Sequence, residues 1–138
     1  MSFVKVTIEA SIERELQKVW NAWTSPQHIT QWNFASDDWC CPSANSELKK
    51  GGRYVARMEA KDGSFGFDFE GVYEDLVAPS FIALRMGDGR LAETRFEGVG
   101  KTTKVTTVFD AEGQNPIDMQ REGWQAILNN FKKYVESL

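Results

Sequence analysis

The chain has 138 residues, 41% of them hydrophobic and 26% charged, with a formal net charge of −4. That length fits one domain, and such a domain buries roughly two-thirds of its unfolded surface without metal or disulfide staples. The acidic balance excludes nucleic-acid binding through a basic surface and gives no support to an anionic membrane surface. No apolar run approaches the roughly 18 residues of a spanning helix.

Phe3 to Ala10 alternates, with Val4, Val6 and Ile8 on one face, and predicts a half-buried strand. The first ten residues hold no signal-peptide apolar block, so a cytoplasmic location is expected. From Ile12 the period changes. Leu16, Val19, Trp20 and Trp23 fall at the i, i+3, i+4, i+7 spacing of a helical stripe. Ser25-Pro26 restarts a short helix, with Ser25 as N-cap, Pro26 at the first helical position, and Ile29 and Trp32 buried. Asn33 to Lys50 is irregular, polar and aromatic, and reads as a long loop with room for one short strand.

Gly51-Gly52 opens a run of strands. Tyr54, Ala56 and Met58 alternate with Arg53, Arg57 and Glu59, and Lys61-Asp62-Gly63 marks a hairpin turn. Phe65, Phe67, Phe69, Gly71 and Tyr73 share the next apolar face, opposite Asp68, Glu70 and Glu74. Ala78-Pro79-Ser80 breaks that strand, and a bulge is expected between Asp75 and Phe81. Phe81 to Met86, Arg90 to Glu97 and Thr102 to Asp110 complete the set, with Val105, Thr107 and Phe109 on one side of the last strand. Asn115-Pro116-Ile117-Asp118 then starts a long helix, with Asn115 as N-cap and Pro116 at its first position. Ile117, Gln120, Trp124, Ile127, Leu128, Phe131, Val135 and Leu138 form its stripe. Hairpin-linked strands imply an antiparallel sheet, and its apolar face needs a covering layer, for which the terminal helix is the longest amphipathic candidate.

These segments carry a resemblance. Val19-Trp20-Asn21-Ala22-Trp23-Thr24-Ser25-Pro26, with Trp32 beyond it, is similar to a signature of proteins related to the C-terminal domain of the activator of heat-shock protein 90 ATPase. Gly51-Gly52-Arg53-Tyr54 with Met58 and Asp62-Gly63, then Gly71 to Leu76 with Pro79, and finally Gly123-Trp124 with Leu128, resemble that family's later segments in order and spacing. The resemblance spans nearly the whole chain. It implies an α+β helix-grip fold of the START-like superfamily over residues 1–138: a curved antiparallel sheet around the C-terminal helix, with two short helices after the first strand. It also implies a cavity between sheet and helix that holds a small hydrophobic molecule. The family's name implies a chaperone partner, although this chain is too short for the separate N-terminal domain of the two-domain eukaryotic cochaperone. The wider superfamily includes polyketide cyclases, which makes a cyclase-like enzyme the third reading.

Candidate cavity residues follow from the strand faces and the helix stripe. Tyr54, Met58, Phe67, Phe69, Tyr73, Phe96 and Phe109 are expected on the concave face, with Trp124, Ile127 and Phe131 facing them. They either line a pocket or fill the core. Gly123 either opens room for a ligand or lets the helix approach a bulky sheet residue, since a mid-helix Gly costs about 1 kcal/mol relative to Ala. Thr94, Thr107 and Gln120 are the polar candidates, with Arg85 and Arg95 as further ones. His28, the one histidine, is expected at the surface; Asp37-Asp38 reads as a solvated loop, with a pocket mouth or a weak metal contact as alternatives. Cys40 and Cys41 are adjacent and read as free thiols, and with a single distant His they fall short of a zinc ligand set. No phosphate loop, dinucleotide fingerprint or metalloprotease motif is present, and neither cofactor nor metal is expected.

Overall fold

The computed structural model describes residues 3–138. In chain order the elements are β1 (Lys5–Ile12), α1 (Leu16–Thr24), α2 (Pro26–Trp32), β2 (Trp39–Ser46), β3 (Arg53–Ala60), β4 (Gly66–Val77), β5 (Phe81–Met86), β6 (Leu91–Val99), β7 (Thr102–Asp110) and α3 (Ile117–Glu136). The strands form one antiparallel sheet in the order β1-β7-β6-β5-β4-β3-β2. Hairpins connect β2 through β7, and β1 pairs with β7 from Lys5↔Asp110 to Ile12↔Thr103. The sheet curls into a half-barrel with the three helices on its concave side, the helix-grip arrangement that the family resemblance implies.

Several boundaries differ from the sequence reading, each for a local reason. β1 runs to Ile12, which is fully buried at the end of the β1–β7 ladder; the helix starts only at Leu16. Val4 remains 59% exposed, outside the apolar face. Trp39 to Ser46 is a full strand whose alternation is broken by a register shift between Cys40 and Ser43. Ser25 does precede α2 in extended conformation, yet its hydroxyl makes no capping hydrogen bond. At α3 the N-cap position is Pro116 rather than Asn115, and Leu138 lies exposed beyond the last turn. A bulge falls between Tyr73 and Asp75 in the β4–β5 pairing, just before the Asp75–Phe81 stretch in which one was expected.

Gly71 on β4 has a packing reason. A Cβ there would lie 2.8 Å from the Leu84 side chain and 3.0 Å from the Arg85 carbonyl oxygen, so the β4–β5 pairing requires its absence.

The densest aromatic packing sits where α1, α2 and α3 meet β6. Trp23 has its ring centroid 5.0 Å from Trp32, 5.6 Å from Phe96 and 4.9 Å from Phe131, and Trp20 meets Phe96 edge-on at 5.3 Å. Edge-to-face pairs of this kind add about 0.5–1.5 kcal/mol each beyond buried area. α3 lies along β1 at one flank of the grip and α2 lies over β2 at the other. The space between them is the feature of interest.

Candidate functional site

Because α3 hugs β1, the concave faces of β3 to β6 are not filled by helix side chains. A cavity of about 410 Å³ remains there, opening to solvent between sheet and helix. Tyr54 and Met58 on β3, Phe67, Phe69 and Tyr73 on β4, and Ile82 and Leu84 on β5 form its floor. Trp124, Ile127 and Leu128 of α3 form its roof, and Trp23 and Trp32 close it toward the aromatic core. Ile8, Ala92, Thr94 and Thr107 complete the wall on the β1–β7–β6 side. Arg90, Glu112, Asn115 and Gln120 gather where the β7–α3 loop meets the start of α3.

The structure therefore brings together Tyr54, Met58, Phe67, Phe69, Tyr73, Thr94, Thr107, Gln120, Trp124 and Ile127 from among the sequence candidates. It separates four others. Phe96, Phe109 and Phe131 are at most 2% exposed and lie beneath the wall, Phe96 and Phe131 in the aromatic core and Phe109 under the Trp124 ring. Gly123 is not part of the lining. A Cβ on it would meet nothing within 4 Å, which rules out the close-approach reading and leaves no ligand room to be opened there.

The polar groups divide into occupied and available. Gln120 is occupied: its Oε1 accepts from the Glu112 amide at 2.9 Å, and its Nε2 donates to the Glu112 and Asn115 carbonyls at 3.0 and 2.8 Å. It clamps the loop before α3. Glu112 accepts from the Gln114 and Asn115 amides at 2.9 and 2.8 Å, and those bonds lower its carboxyl pKa. Arg90 pairs with Asp88 at 2.7 Å and donates to the Asp110 carbonyl at 3.3 Å. Thr94 and Thr107 face each other across β6–β7, both at least 95% buried, with their hydroxyl oxygens 2.9 Å apart. The Tyr54 phenol accepts from Asn33 Nδ2 at 3.4 Å. Burial pushes its pKa up, with the nearby Tyr73 and Cys41 adding to the rise, so it stays a neutral donor. Tyr73 is held up by burial as well, against the opposing effect of its 2.6 Å bond to Ser46.

Other polar candidates lie elsewhere. Arg85 pairs with Glu74 at 2.9 Å, and Arg95 is exposed, stacked 4.7 Å above the Phe81 ring. His28 is half-buried rather than at the surface, because α2 packs on α3 and brings its Nδ1 to 2.6 Å from the Tyr134 hydroxyl. Asp37 borders a separate hollow of about 190 Å³ near Asn130 and Lys133, not the mouth of the main cavity. Sequence reasoning missed Arg90 and Glu112, which reach the cavity only through the β5–β6 turn and the loop after β7. It also missed Asn33, Asn115, Ile82, Leu84 and Ala92, whose inward facing depends on the curl of the sheet.

The model of the family described as activator of Hsp90 ATPase homolog 1-like protein matches residues 13–136. The chain belongs to this family. An AHSA1-like protein from Aeromonas hydrophila is 44% identical, covers 97% of this chain and 93% of its own length, and superposes with a TM-score of 0.91. A protein from Cytophaga hutchinsonii is also 44% identical, with coverage of 96% and 92% and a TM-score of 0.83. A Chromobacterium violaceum protein at 18% identity shares the fold, with coverage of 96% and 98% and a TM-score of 0.85. Comparison with curated proteins gave no match. No helix of the described residues is long and apolar enough to cross a membrane.

Proposed function

We propose that this member of the activator of Hsp90 ATPase homolog 1-like family binds a small, largely apolar molecule between its sheet and α3. The observation that carries the reading is the cavity of about 410 Å³, walled by Trp, Tyr, Phe, Met and aliphatic side chains. Pockets of this size and lining are typical of small-molecule sites. Because the cavity opens to solvent, water occupies it when no guest is bound, and an apolar guest that displaces this water from the apolar wall gains by burying its own surface. The lining residues named above are the proposed binding residues.

The chemistry of the lining supports holding rather than transforming the guest. Glu112 is committed to backbone amides and Arg90 to Asp88, while His28 lies against Tyr134 on another face. A chaperone-associated role is the second reading. It draws on the family's name and on the cluster of Trp39, Phe65 and Phe67, with ring centroids 6.0–6.2 Å apart and Phe65 60% exposed.

The test is a thermal-shift screen against fatty acids, sterols and fused aromatic ketones, run on the native chain and on Ala92→Leu. Ala92 lines the cavity, and a leucine there extends into it. A ligand at about 100 times its Kd adds ~2.7 kcal/mol, a rise of several degrees. A saturable shift lost in Ala92→Leu, whose own Tm is unchanged or higher, supports the cavity. A shift retained in that variant would put binding elsewhere, and a flat screen with capture of a chaperone would favour the second reading.

A further inference from the structure

Thr94 and Thr107 are 5% and 3% exposed, directly paired in register, and both line the cavity. Each hydroxyl has one proton to donate. The single 2.9 Å bond between them uses one proton, and among the described residues neither hydroxyl has another hydrogen-bond partner. One O–H donor is thus left over, buried, at the surface of a cavity whose neighbouring walls are Ile8, Ile82, Ala92 and Trp124. A buried donor without an acceptor is unfavourable.

The charge at the cavity decides what kind of acceptor fits. The charged lining residues are Arg90 and Glu112. Arg90 is already neutralised by Asp88 at 2.7 Å, and Glu112 adds a negative charge to the same end. An anionic headgroup would lose its hydration and meet no unpaired cation. We infer that the Thr94–Thr107 pair donates a hydrogen bond to a neutral oxygen acceptor, of ketone or ether type, on an otherwise apolar ligand. This rests on the cavity being the binding site. It makes the threonine pair a specificity-determining element, beside the Tyr54 hydroxyl that also lines the cavity, selecting oxygenated neutral molecules over both hydrocarbons and carboxylates of the same shape.

The experiment uses three probes of one framework: benzophenone, diphenylmethane and diphenylacetate, titrated by intrinsic fluorescence or calorimetry. The native chain should bind benzophenone about tenfold more tightly than diphenylmethane, and diphenylacetate at least tenfold more weakly than benzophenone. In Thr94→Val/Thr107→Val the benzophenone preference should vanish while diphenylmethane affinity is kept. Thr94→Ser/Thr107→Ser, which retains both hydroxyls, should keep the preference. Equal affinity for ketone and hydrocarbon in the native chain, or a preference that survives the valine pair, overturns the donor assignment but leaves the cavity reading standing. Tightest binding by diphenylacetate overturns the choice of a neutral ligand. Binding of none of the three overturns the cavity reading and this inference with it. Should the valine pair fail to fold, the native comparison and the serine pair still decide.

Discussion

The indole of Trp124 lies parallel to the ring of Phe109, with centroids 3.9 Å and planes 6° apart. Phe109 is fully buried on β7, so this stack fixes where α3 sits above the sheet. Trp124 is also part of the cavity roof, 6.3 Å from Phe69 across the space. One ring thus sets the helix position and one wall of the site.

Trp124→Ala should destabilise the domain by about 3 kcal/mol, since it removes the stack and enlarges a cavity already present. Trp124→Phe should retain most of that stability. Denaturant titration measures both. Intrinsic fluorescence adds a second readout: a guest in the cavity should change the emission of the native chain, and Trp124→Phe should reduce that change, with Trp23 and Trp32 supplying the remainder. A full-sized change in the phenylalanine variant would mean that the guest does not reach the roof.

Gly123 gives a prediction of opposite sign. It sits in the interior of α3, where alanine is favoured by about 1 kcal/mol, and its Cβ position is open. Gly123→Ala should therefore stabilise the protein by up to ~1 kcal/mol, a few degrees in Tm, and leave ligand affinity unaltered. A loss of stability would mean that the helix at this point must approach something that the described residues do not place there.

The contrast between these adjacent residues shows what sequence reveals here. The stripe through Trp124, Leu128, Phe131 and Val135 declares a buried helix face because its 3.6-residue period is strong, and Lys61-Asp62-Gly63 declares a hairpin because Gly63 takes a φ of +77°. The pattern does not say how far across the sheet that helix sits. Thr107 and Phe109 share a face of β7, yet one borders the cavity and the other lies under Trp124. Only the sideways position of α3 separates them. β2 is legible only as room for one short strand, because the register shift between Cys40 and Ser43 breaks the period-2 signal on an edge strand. Arg90 and Glu112 lie in a turn and a loop, where no periodicity points inward.

Asp110 ties β1 to the far side of the site. It accepts from the Lys5 ammonium and, at 2.9 Å, from the Leu91 amide. Burial alone would raise its carboxyl pKa, but these two partners outweigh that effect and leave it lowered. The unfolded chain, with an ordinary aspartate pKa of about 3.9, then binds the proton more readily than the folded one, so stability rises with pH. The contribution is complete above about pH 4 and is lost as pH falls through the lowered value. Asp110→Asn should cost about 1–3 kcal/mol at neutral pH. It should also flatten the fall in Tm between pH 4 and pH 2. An unchanged acid slope would show that Asp110 is not a source of it.

The adjacent cysteines should behave as chemically different thiols. Cys41 is 2% exposed and Cys40 half-exposed. Burial, with a smaller effect from Cys40, pushes the Cys41 thiol up to about 11 against a weak opposing bond to the Ser43 carbonyl. Since the thiolate is the nucleophile, iodoacetamide at pH 8 should modify Cys40 and spare Cys41 until the protein unfolds. Mass spectrometry of the tryptic peptide reads the ratio. The same shift acts on stability at high pH: the folded chain holds the Cys41 proton while the unfolded chain releases it near 8.5. Stability therefore falls as pH climbs from about 9 to about 11, and Cys41→Ala should remove that part of the slope, although the smaller side chain lowers stability at neutral pH. Equal alkylation of both thiols in the native state would show that the β2 edge opens readily in solution.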